Sequence, residues 1–97
     1  MAMTETRAVA IAAVRQYLRT VFPVGTIEDF SAMPDRPAHR FRVASGGSVH
    51  LATVSFEFLE RTSEDQIPRR LAQWHLADKM VTAGPSGVLV TEGVTLL

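Results

Sequence analysis

Three histidines, a pair of nearby arginines and a Pro-Asp dipeptide are the residues of this chain whose types could do chemistry. His39 and His50 lie within the stretch HRFRVASGGSVHLATVSFEF (39–58), and His75 lies further on. Imidazoles move protons and bind metals, but two of them must converge to share an ion. A turn at Gly46-Gly47 puts His39 and His50 on one face of a hairpin, on opposite strands and four rungs apart. At the rise of a strand that is about 13 Å. No HxxxH or HExxH spacing recruits His75. Cysteine is absent, which excludes disulfides, thiolate catalysis and cysteine-based zinc sites. No GxSxG elbow occurs. Ser45-Gly46-Gly47-Ser48 is followed by no helix whose dipole a phosphate loop would use. The residues therefore predict no catalytic site, no metal site and no cofactor.

Pro34-Asp35 followed by Glu57 invites comparison with metal-dependent nucleases that carry a PD…(D/E)xK signature. Their chemistry sets two carboxylates on a divalent ion and a lysine beside the attacking water. Here Leu59 stands where that lysine belongs, and the single lysine, Lys79, falls near the other end of the chain. A nuclease-like enzyme built on Asp35, Glu57 and His39 is thus the third-ranked reading.

The arginines carry more. A primed two-residue turn at the glycines pairs Ser45 with Ser48, Val43 with His50, Phe41 with Ala52 and His39 with Val54. Phe41, Val43, Ala52, Val54, Phe56 and Phe58 then share a core face. Arg40, Arg42, Leu51, Thr53, Ser55 and Glu57 share the other, with Val49 nearby. Arginine forks bind carboxylate or phosphate bidentately, and Glu28, Asp29 or Glu57 can neutralise them across strands. A nucleic-acid ribbon wants more cations and stacking aromatics, and the hairpin's phenylalanines point the other way. His50 is expected in water at the sheet's rim. Trp74 is expected in the core, or half exposed at an interface. The candidate binding residues are Arg40, Arg42, Val49, His50, Leu51 and Trp74.

The elements that must position them follow from patterning. Ile11, Val14, Leu18 and Val21/Phe22 predict a helix over 4–22, capped by Thr4 or Thr6 and stopped by Pro23 and Gly25. Residues 25–31 predict a strand. Ile27 and Phe30 differ in parity there, which calls for a bulge or an early end. Residues 32–38 form a loop, with Pro34 and Pro37 denying two ladder donors. Residues 62–83 are helical, with Ser63 and Gln66 as a capping box and Pro68 in the second turn. Ile67, Leu71 and Trp74 share one face, and Leu76 and Met80 the opposite one. A break at Trp74–Leu76 and a second segment ending at Gly84-Pro85 resolve that conflict. Residues 87–96 read as one strand with a late bend, in preference to a hairpin at Glu92-Gly93. Leu96-Leu97 is docked or lies at an interface.

The chain has 97 residues, ten cations and ten anions. That length fits a single domain, 1–97, and buries about two-thirds of its surface without staples. Zero net charge exerts no global pull on nucleic acid or anionic membrane. No run approaches the length of a membrane span, and Glu5, Arg7 and Arg15 interrupt any signal-peptide core. The expected fold is α+β in the order α-β-β-β-α-β. An antiparallel three-stranded meander is joined by a C-terminal strand, and two helices pack on one face. The expected function is a small non-catalytic binding or regulatory module. It uses the outer face of the 39–58 hairpin to dock a protein partner or a second copy of itself. A nucleic-acid-binding accessory role is the alternative. The setting expected is a bacterial cytoplasm.

Overall fold

The computed structural model describes the backbone of residues 2–31 and 37–97 and the side chains of residues 8–30 and 37–97. Pro34 and Asp35 lie outside the described residues. The first helix, α1, spans Ala2–Val21. It runs through Thr4 and Thr6, so neither occupies the cap position expected of it. Strands β1 (Thr26–Ser31), β2 (Ala38–Ser45) and β3 (Ser48–Ser55) follow as an antiparallel meander. Three short helices, α2 (Phe56–Arg61), α3 (Ile67–Gln73) and α4 (Leu76–Ala83), lead through a single 3-10 turn to β4 (Val88–Val90) and β5 (Val94–Leu96). The sheet order is β1-β2-β3-β4-β5, with only β3 and β4 parallel. The fold is α+β, and the strand after the helical crossover runs parallel to its neighbour, as the element order requires.

The hairpin register is the one the glycine turn dictates. Gly46 and Gly47 have φ of 59° and 80°, which glycine adopts without a Cβ penalty. Ser45 pairs with Ser48, Val43 with His50, Phe41 with Ala52 and His39 with Val54. One face of these strands is the core. Phe41, Val43, Ala52 and Val54 are fully buried, as are Val88 and Val90 of β4. They form one cluster with Ala10, Val14 and Leu18 of α1, Phe58 and Leu59 of α2, Leu71 of α3, and Leu76 and Met80 of α4. All four helices therefore sit on the same side of the sheet.

Four local expectations are corrected. The chain leaves the sheet at Ser55, not Phe58. The Ser55 hydroxyl accepts the Phe58 N–H at 3.1 Å and caps α2. Phe58 and Leu59 then reach the core from a helix. Secondly, Ser63 and Gln66 form a turn instead of a capping box. The next helix starts only at Ile67, with no side-chain cap. Pro68 then sits in the first turn, where its missing N–H is not needed. Thirdly, β1 pairs with β2 without interruption from Thr26↔Ala44 to Ser31↔His39. Instead of a bulge, the mismatched parity simply leaves Phe30 on the outer face. Fourthly, residues 88–96 fold into an antiparallel β4–β5 hairpin, closed by a Thr91 N–H to Gly93 carbonyl bond of 3.0 Å. Leu97 donates its N–H to the Gly87 carbonyl at 3.0 Å, while its side chain is exposed.

The expected helix break is present. Trp74 ends α3, and His75 takes a left-handed conformation, φ 55° and ψ 46°. The turn lets Ile67 and Leu71 on one segment, and Leu76 and Met80 on the next, all reach the core. The second segment ends at Gly84.

Candidate functional site

The site is built from alternation. Residues of β1–β5 that do not face the helices present an outer face. One row crosses all five strands: Phe30, Arg40, Thr53, Leu89 and Thr95 are successive partners in the register. At about 4.8 Å between strands the row spans about 19 Å. A second row runs Glu28, Arg42, Leu51, and Leu51 continues against Gly87. A Cβ on that glycine would lie 3.1 Å from the Leu51 Cβ, at a φ of 86°. Glycine is thus required where the crossover returns to the sheet. Val49 lies two rungs towards the turn, paired with Ala44.

The two arginines on this face are not equivalent. Arg42 donates to the Glu28 carboxylate at 2.7 Å, so its charge is answered across the strand pair. Arg40 has no ion-pair partner among the described residues. Its Nε is sealed from solvent and has no hydrogen-bond partner. Thr53 is only 5% exposed although no helix lies over it, whereas Phe30 is 45% exposed. Among the described residues, the face thus offers one unanswered cation beside an open aromatic ring, flanked by the half-buried aliphatics Val49, Leu51 and Leu89.

The structure brings Arg40, Arg42, Val49 and Leu51 together as the sequence predicts. It does not place His50 or Trp74 with them. His50 was expected in water but is 8% exposed and faces the helices. Its ring stacks on Phe22 at 5.6 Å, and its Nδ1 is buried without a partner. The parity that puts Val43 in the core puts its partner there too. Trp74 is half-buried at the end of α3, packed against Phe58 at 5.6 Å. Glu28 belongs to the face as one of the cross-strand carboxylates the sequence offers to the arginines, whereas Phe30 and Leu89 are face residues that the sequence did not single out. The parity difference between Ile27 and Phe30 was the signal for the first.

A second polar cluster lies on the helix side. Arg15 of α1 donates from Nε to Asp29 of β1 at 3.0 Å, with a second N–H on the same oxygen. The other Asp29 oxygen meets His39 Nε2 at 2.8 Å. Burial pushes the Asp29 carboxyl up, but the hydrogen bonds and charges of His39 and Arg15 outweigh it and hold it below the usual carboxylate range. The cluster ties α1 to two strands. Glu57, the other carboxylate of the nuclease-like reading, projects from α2 and pairs with Arg61 at 3.4 Å, away from the His39–Asp29 pair.

No protein-family model matches the sequence, and comparison with curated proteins and with solved structures finds no significant match.

Proposed function

We propose that the chain is a small non-catalytic binding module whose outer sheet face takes an acidic polypeptide segment. The supporting observation is the asymmetry between Arg42, which Glu28 neutralises at 2.7 Å, and Arg40, whose guanidinium has no ion-pair partner among the described residues. An arginine whose Nε is already desolvated and whose guanidinium has no ion-pair partner among the described residues is prepared for a carboxylate, which it binds bidentately. The flanking Phe30 ring and the aliphatics Leu51 and Leu89 supply the apolar contact that anchors such a segment. A second copy of the chain is a poorer occupant, since docking face to face sets two unanswered cations together. Phe30 beside Arg40 could stack a nucleobase, but one free cation makes few phosphate contacts. Absent cysteine and an arginine-dominated set of cations support a bacterial cytoplasmic setting.

The test is a backbone amide NMR titration. The probes are a peptide of alternating Glu and Leu, its Lys-for-Glu counterpart, and a single-stranded oligonucleotide. The expected result is shifts at Phe30, Arg40, Thr53 and Leu89 with the acidic peptide only, abolished in a folded Arg40→Glu variant. Equal response to the basic peptide would sink the proposal. Preferential response to the oligonucleotide, with affinity falling steeply in salt, would replace it with the nucleic-acid reading. Concentration-dependent shifts without any probe would replace it with self-association.

A further inference from the structure

A cleft of about 380 Å³ opens between α1 and α3, on the helix side of the sheet and away from the outer face. Its cause is local. Ala12 and Ala13 of α1 stand opposite Pro68 of α3, and three short side chains leave space that longer ones would fill. Tyr17, 8% exposed, closes one wall with its ring. Burial pushes its phenol up, a hydrogen bond from the Ala77 backbone opposes this, and the Asp78 charge adds to the rise, so the wall stays neutral at physiological pH. The size falls within the range of small-molecule sites, which are mostly apolar with a few placed polar groups.

Besides the Tyr17 phenol, three polar side chains line the cleft, Gln16, Thr20 and Glu64, and the Thr20 hydroxyl is taken up by the Gln16 backbone carbonyl at 3.0 Å. Glu64 is the one charged residue of the lining. Among the described residues it makes no ion pair, and no side-chain hydrogen bond occupies the Gln16 amide. An apolar hollow with one unanswered carboxylate selects its ligand by charge. We infer that this cleft is a binding site for a small organic cation, an amine on a compact apolar or aromatic body. The body lies between Ala12, Ala13 and Pro68, and the ammonium meets Glu64. This inference does not depend on the outer face.

Three probes of one shape and different charge test it: phenethylamine, 2-phenylethanol and phenylacetate, each titrated against the full chain and followed by amide NMR. Phenethylamine is expected to shift Ala12, Ala13, Gln16 and Tyr17, with 2-phenylethanol weaker and phenylacetate weakest. Glu64→Gln should weaken the amine about fivefold, the scale of one solvent-accessible ion pair, and leave the alcohol unchanged. Ala12→Leu, at an exposed helix position, should fill the cleft and remove the response to all three while the spectrum stays folded. The inference is overturned if phenylacetate binds as well as the amine, if the shifts fall elsewhere, or if Ala12→Leu responds as the wild type does.

Discussion

The His39 ring and the Asp29 carboxylate meet at 2.8 Å across the β1–β2 pair, on the side of the sheet that faces the helices. Arg15 reaches the same carboxylate from α1. Two partners hold Asp29 ionised in the folded state below its ordinary range. A depressed folded pKa means the stabilisation is fully present above the ordinary carboxylate value and is lost as pH falls through the folded one. Wild type should therefore lose stability on acidification more steeply than Asp29→Asn, and the gap between them should close at low pH. At neutral pH the substitution should cost about 1.5–3 kcal/mol, the scale of hydrogen bonds to a charged group. Urea midpoints from pH 7 to pH 2 measure both, and parallel curves for the two proteins would show that the cluster carries no linkage.

The Ser55 hydroxyl ends β3 and begins α2 in one residue. Ser55→Ala should cost about 1 kcal/mol, and Ser55→Asp should retain most of the stability, since both Ser and Asp accept from the first-turn amides. Guanidinium unfolding of the three proteins at constant m-value checks this. An Ala variant as stable as wild type would mean that Phe58 and Leu59 alone set the helix start.

His50 carries a buried nitrogen with no partner, stacked on Phe22. His50→Phe keeps a ring on that stack and removes the orphaned atom, whose desolvation costs about 1–3 kcal/mol. The variant should melt at a higher temperature by differential scanning calorimetry. A lower melting temperature would show that the site has no room for the larger ring.

His75 holds the left-handed position that separates α3 from α4. His75→Gly should be close to neutral, because easier geometry offsets the freedom gained by the unfolded chain. His75→Val, β-branched and ill-suited to positive φ, should be less stable than the Gly variant by about 1–2 kcal/mol. Equal stabilities in chemical denaturation would contradict the left-handed turn.

Much of this fold was legible where backbone geometry leaves one solution. Two adjacent glycines between alternating residues permit one turn and one register, and the register sorts Arg40 and Arg42 from Phe41 and Val43. The break at Trp74–His75 was legible because Leu71 and Leu76 cannot face one core from one straight helix. Phe56 and Phe58 misled, since they continue the period of β3 past the Ser55 cap. Only Leu59 and Thr62, buried one helical turn apart, mark the change. The open cation was half legible. Arg40 and Arg42 are alike in the sequence, and only the β1 register, which puts Glu28 opposite Arg42 and Phe30 opposite Arg40, tells them apart. The Asp29 cluster left no local signal, because Arg15 reaches it from an element 14 residues away.

The parallel pairing of β3 with β4 gives the chain a folding order. Every strand contact within the meander joins near neighbours in sequence, whereas Ala52 must find Val88 across three helices and a turn. Closing so long a loop precedes any reward from the contact. The meander is therefore expected to assemble first and the β4–β5 hairpin to dock last. In hydrogen exchange the amides of Val88–Val90 should open before those of Phe41 and Ala52. That result would make the five-stranded sheet a three-stranded platform with a later two-stranded extension.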